Sequence, residues 1–158
     1  MYINTLINKQ FLLNLETVPP KMKFENSKYS KLLRYSKIEF SFGTFYFLDK
    51  LVISELNEGI HFNWNKIELV ISAIAEHYGD DFKIAFLSNK INSYSIEPQF
   101  WLNFYKEYNF IIASALITYT DVSYKNATLE KHFSSTSVKR CSTLGEGIEW
   151  ILSLKELN

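Results

Sequence analysis

One cysteine, three prolines and five glycines in 158 residues leave little room for several classes of protein. A lone thiol, Cys141, can form no disulfide within the chain, so a hydrophobic core must hold the fold, and the expected compartment is the reducing cytoplasm. So few Gly and Pro exclude a low-complexity chain. The three histidines show no HxH or HExxH spacing, so no metal site is expected. A Gly-rich phosphate loop, a G-x-S-x-G elbow and a nucleotide fingerprint are all missing, and no motif implies a cofactor. No run of about 18 apolar residues exists, so no transmembrane segment is expected. Formal net charge is zero, and without a basic face nucleic acid is not an expected partner.

What is present is apolar and aromatic. With 47% hydrophobic residues, 13 Phe and 10 Tyr, the chain can build one sizeable core without staples, which points to one domain. The charge is unevenly placed. Residues 1–37 hold seven Lys/Arg against two Asp/Glu, and the remainder hold ten against fifteen. We therefore expect a basic, poorly ordered leader over 1–36 and a folded domain over 37–158. The leader either touches an anionic partner or is a solvated tail. Met1–Val18 contains FLLNL but no charged start, sustained apolar core or small-residue cleavage site, so it does not read as a signal peptide. Pro19-Pro20 breaks the chain and Met22 follows, so either Met1 or Met22 is the start, with Met22 expected.

Periodicity sets the element order. Ile38–Phe47 and Leu51–Leu56 read as strands of a hairpin. Asn65, with Glu68 three residues on, can cap a helix carrying Ile67, Val70, Ile71, Ile74, Ala75 and Tyr78 on one stripe and ending at Gly79. Phe82–Leu87 is a short strand buried on both faces, and the polar loop Ser88–Glu97 leads to a helix starting at Pro98 with Trp101, Phe104, Tyr105 and Tyr108 inward. Phe110–Ile117 is a second buried strand. Asp121 can cap a helix over Val122–Phe133, and Val138–Cys141 is an edge strand. A Thr143/Glu146 capping box opens a last helix with Leu144, Ile148, Ile151 and Leu152 inward. The order β-β-α-β-α-β-α-β-α predicts an α/β fold, a mostly parallel sheet with an N-terminal antiparallel hairpin, covered by helices.

This order resembles the STAS or SpoIIAA-like domain. NEGIHFNW (57–64), FLSNKINSYSIEPQ (86–99) and RCSTLGEGIEWI (140–151) are similar to the small SpoIIAA-like proteins of unknown function found in Bacteroidetes-type bacteria. The resemblance covers about residues 38–155. It implies a non-enzymatic regulatory module, like the anti-sigma-factor antagonists, that binds a protein partner. In such antagonists a serine at the start of the helix after the third strand is phosphorylated, in an Asp-Ser-x-Gly context. Ser93 and Ser95 lie in the matching region, and neither has that context. SpoIIAA-like domains also resemble CRAL-TRIO lipid-binding domains, so the alternative is a carrier or sensor of a small apolar ligand.

Several residues are candidates for the site. In the loop, Ser88, Asn89, Asn92 and Tyr94 join the two serines as hydrogen-bonding groups at the carboxyl end of a strand, where open α/β sheets bind ligands. The helix start behind them either favours an anion, weakened by Pro98 and Glu97, or is simply capped by Ser95 or Glu97. Glu55, Glu58 and His61 could supply acid, base or ligand groups, or could shape a strand-to-helix joint. His77 and His132 suit helix C-termini. Cys141 reads as a small core residue. Phe100 and Phe104 form a docking patch if they point outward.

Overall fold

Three short strands, β1 (Ser36–Phe40), β2 (Gly43–Phe47) and β3 (Leu51–Leu56), run antiparallel as a meander. Where the sequence predicts one strand over Ile38–Phe47, the chain turns at Ser41-Phe42. The alternation on one side of the turn and the aromatic run on the other are two strands, so the expected hairpin gains a third member. β3 then pairs in parallel with β5 (Ile84–Asn89), β5 with β7 (Ile111–Ile117), and β7 with the edge strand β8 (Ser137–Cys141). A parallel ribbon of β4 (His61–Phe62) and β6 (Ser95–Ile96) stands apart. The structure, a computed structural model, describes residues 20–97 and 99–158. The mixed α/β class, a mainly parallel sheet with an antiparallel start, is as the pattern predicts.

Main-sheet order follows chain order, β1-β2-β3-β5-β7-β8. Crossovers that all step the same way with one hand put their helices on one face. That face holds α2 (Trp64–Tyr78) and α3 (Phe100–Glu107). Ile67, Val70, Ile74, Phe100 and Phe104 pack there on Phe45, Val52, Ile84 and Phe86. The third crossover helix, α4 (Asp121–Phe133), places Phe133 against the same cluster. α5 (Leu144–Leu152) has no strand after it and folds back onto the other face, over Ala85, Leu87, Ala115 and Ile117. Alternation along β5 thus sends Ile84 and Phe86 to one core and Ala85 and Leu87 to the other, which is why this strand carries no polar residue before Ser88.

Local details correct the sequence reading. Asn63, not Asn65, caps α2: its backbone is still extended and its Oδ1 accepts from the Lys66 N–H at 3.1 Å, while Asn65 is already helical. Thr120, not Asp121, does the same for α4. Thr143 caps α5 as expected, but Glu146 accepts from the Ser142 N–H, one residue upstream of the usual box partner. Gly79 ends α2 at φ +88°, a region closed to most side chains. Gly147 lets α5 lie close on β7, since a Cβ there would sit 2.4 Å from Ile117 Cδ1 and 3.5 Å from Ala115 Cβ. Leu152, expected inward, is 52% exposed. Phe100 and Phe104 are both buried, so the aromatic docking patch does not form.

The N-terminal boundary also moves. Residues 20–36 are part of the fold: after a 3₁₀ turn at Phe24–Asn26 comes the one-turn helix α1 (Tyr29–Leu32), and Phe24 is fully buried between Tyr35 and Tyr46. The expectation of a poorly ordered leader concerns, for 1–19, residues outside those described, as does the helix start at Pro98. Among the described residues no helix is long and apolar enough to cross a membrane.

Candidate functional site

The carboxyl ends of β5 and β7 are where the sheet meets its loops, and two buried polar clusters sit side by side there. The first is built on an ion pair. Lys90 Nζ lies 2.7 Å from Glu130 Oε1, with side-chain exposures of 6% and 4%. It also donates to Tyr94 Oη at 2.8 Å, and Trp101 Nε1 donates to the other Glu130 oxygen at 2.9 Å. Removing two charges from water is costly, so such a pair persists only where further hydrogen bonds satisfy it. Here α3 supplies Trp101 and the loop supplies Tyr94. Burial pulls the Lys90 ammonium down, but Glu130 and Tyr94 outweigh it and hold Lys90 above its ordinary value. Lys90 is therefore a locked cation and no nucleophile.

The second cluster centres on Glu55. Its Oε2 accepts from the Phe24 N–H at 2.8 Å and from Asn89 Nδ2 at 2.6 Å. Asn89 Nδ2 also donates to the Met22 carbonyl at 2.7 Å, and Asn89 Oδ1 accepts from Tyr119 Oη at 2.7 Å. The Asn89 amide is thus spent inside the protein: it ties the N-terminal segment to the sheet. Burial raises the Glu55 carboxyl above its usual value, only partly opposed by the Phe24 N–H and the Asn89 amide.

The remaining expected groups have separate partners. Glu58 Oε2 accepts from the Ser93 N–H at 2.8 Å, and Gly59 N–H donates to the Ser93 carbonyl at 2.7 Å. His61 Nδ1 and Ser95 Oγ are 2.7 Å apart across the β4–β6 ribbon. Asn92 Nδ2 donates to the Leu56 carbonyl. Glu58 and His61 therefore brace the loop while Glu55 holds the N-terminal segment, the three do not converge, and no group of three or more metal-ligating side chains occurs among the described residues. Ser88 is buried in β5. Neither Ser95 nor the Glu97 side chain caps α3; the Glu97 carbonyl takes the Phe100 N–H. His77 and His132 are exposed in the last turns of their helices, against Phe47 and Phe133. Burial, then Glu146, pushes the Cys141 thiol up to about 11, which leaves it protonated and inert at neutral pH.

Above the ion pair lies a cleft of about 320 Å³. Ser93, Ser95 and Ile96 form one wall, Val122 and Leu129 of α4 the other, and Lys90 and Glu130 the floor. Both serines are exposed, and so are Val122 at 70% and Leu129 at 48%. Two small pockets of about 10 Å³ each, one beneath Tyr94 and Ile96 and one among β5, β7 and α3, have room for about one water. A wider opening of about 710 Å³ lies at the other rim, beside Tyr35 and Tyr78, away from the loop.

Sequence reasoning missed Lys90, Trp101's polar role, Tyr119 and Glu130. A signal existed for Glu130: Ala127, Glu130 and Phe133 repeat at three, which puts a carboxylate on the inward stripe of α4.

No protein-family profile matches the chain, and no curated protein does. Among solved structures the chain is similar to an uncharacterised protein of the DUF3478 family, with a SpoIIAA-like fold, from Shewanella loihica PV-4. The two share 9% identity and a TM-score of 0.46 over 75% of this chain and 93% of that one.

The raised Glu55 carboxyl has a measurable consequence. The folded chain holds this proton more tightly than the unfolded chain, so Glu55 contributes most stability below the unfolded value of about 4.3 and loses it as the pH climbs through the folded value. Relative to Glu55→Gln, which cannot ionise, wild type is expected to lose stability from about pH 4 toward neutrality. Urea unfolding of both proteins across that range measures the difference; a flat difference would contradict a buried, ionising Glu55.

Proposed function

We propose that this protein is a non-enzymatic regulatory module that holds a cytoplasmic protein partner at the carboxyl rim of its sheet, and that phosphorylation of Ser93 or Ser95 releases that partner. One observation carries the reading. Two exposed hydroxyls and two exposed aliphatic side chains, Val122 and Leu129, face one open cleft, while the charged groups beneath are engaged with one another. Such a site offers contact surface and a modifiable lip. A phosphoryl group adds close to two negative charges at neutral pH. On Ser93 these fall beside Glu58, already bonded to the Ser93 N–H, and next to the aliphatic contacts. Repulsion and desolvation both act against docking there.

Affinity capture from the native cell tests this. Wild type is expected to retain a stoichiometric protein, and both Val122→Asp with Leu129→Asp and Ser93→Asp with Ser95→Asp are expected to lose it. Intact-mass measurement of the native protein should show phosphate on this loop. Equal capture by all three proteins, or capture by none, overturns the reading.

A further inference from the structure

On the helical face of the sheet, α2 and α3 leave an opening of about 640 Å³ between them. Its walls are aromatic. Phe62 and Phe100 are buried there, and Trp64 and Tyr108 are half-buried. The rings touch in series. Centroids are 5.6 Å apart from Phe62 to Phe100, 5.8 Å from Phe100 to Trp64 and 6.3 Å from Trp64 to Tyr108. Trp64 and Tyr108 lie only 29° from parallel, so they present a broad ring surface rather than two crossed edges. Aromatic faces are the negative side of the ring quadrupole, and Trp attracts cations best.

The charge around this surface is one-sided. Glu68, Glu97 and Glu107 line the opening, against Lys106 alone. Helical spacing gathers them: Glu68 is one turn beyond Trp64 on α2, and Glu107 is two turns beyond Phe100 on α3. Glu97 comes from the turn into α3. All four charged side chains are exposed, and none joins an ion pair among the described residues. The N-terminus of α2 works against a cation here, but it amounts to about half a charge. Asn63 Oδ1 takes up one of its N–H groups at 3.1 Å. The excess of carboxylates outweighs that end of the helix.

This combination selects among ligands. The carboxylates repel an anion. A primary ammonium is strongly hydrated and gains little by leaving water for a ring face. A quaternary ammonium donates no hydrogen bonds, sheds water readily and is attracted by rings and carboxylates together.

We propose that this opening binds a quaternary ammonium group, with its methyl groups on Trp64 and Tyr108 and its charge balanced by Glu68, Glu97 and Glu107. The group belongs to a small molecule or to a trimethylated lysine. The site is separate from the serine cleft and does not rest on the partner reading given above.

Titration of the full-length ¹⁵N-labelled protein with choline chloride tests this. The Trp64 indole N–H signal is expected to move saturably, while that of Trp150, on the opposite face of the sheet, stays in place. The uncharged carbon isostere of choline has the same shape and is expected to bind about ten-fold more weakly. The combined Glu68→Gln, Glu97→Gln and Glu107→Gln variant should lose about ten-fold in choline affinity, and its three exposed positions leave the fold intact. A trimethyllysine peptide and its unmodified counterpart form the other arm. Tighter binding of the methylated peptide than of choline assigns the group to a protein side chain, and the reverse assigns it to a small molecule. The proposal is overturned by a Trp64 signal that responds to neither cation, by equal shifts at Trp64 and Trp150, by equal affinity for the uncharged isostere or the unmodified peptide, or by unchanged affinity in the glutamine variant.

Discussion

Lys90→Met is expected to cost about 3–5 kcal/mol of stability, because it strands the Glu130 carboxylate in a site with 4% exposure. For a chain of this size that lowers the midpoint of thermal unfolding by roughly 6–20 °C. The Trp101 N–H remains on one carboxylate oxygen, but the other loses its ammonium partner. Removing both charges should cost far less. Lys90→Met with Glu130→Leu exchanges the pair for apolar groups of similar volume, a change that is often close to neutral. Circular dichroism melts of the three proteins measure all of this. If the double variant were as unstable as Lys90→Met, the pair would not be what makes the single change costly, and volume or packing would be responsible instead.

The second large effect is expected from Phe24→Ala, also about 3–5 kcal/mol. Phe24 is fully buried, edge-on to Tyr35 at 5.0 Å and tilted on Tyr46 at 4.7 Å. Its loss leaves a hole against β2 and weakens the hold on its own backbone, where the Phe24 N–H meets Glu55. Exchange protection at the Phe24 amide should drop much more than at Val70 in α2, on the opposite face of the sheet. A variant with wild-type stability and unchanged protection would return residues 20–36 to the status of a dispensable leader.

These expectations rest on residues that sequence reading treated unevenly. Ile67, Val70 and Ile74 repeat at helical spacing, and both Phe82–Leu87 and Phe110–Ile117 are unbroken apolar runs; each pattern survives into the structure because burial of a helix stripe or a two-sided strand imposes it on neighbouring residues. The turn at Ser41-Phe42 carries only Ser41 and the following Gly43 as signals, and the aromatic run around it outweighs them. Phe24 was lost in a basic background of Lys21, Lys23 and Lys28, where charge count outweighed one aromatic ring. The loop Ser88–Glu97 was placed at the correct rim, yet its parts divide: Ser93 and Ser95 are exposed on the cleft, while Ser88 and Asn89 are buried in the sheet.

By itself the chain's pattern determined the α/β class, the alternation of main-sheet strands and helices after Leu51, the inert core position of Cys141 and the loop at the end of the third buried run. Those properties follow from contacts close in sequence or from burial that repeats with a fixed period. Tertiary structure alone decided that Lys90 meets Glu130 forty residues away, that Glu55 holds the Phe24 backbone across thirty-one, and that Val122 and Leu129 share a cleft with Ser93 and Ser95. Pairings of that kind depend on which strand ends lie side by side, and local periodicity carries no record of it.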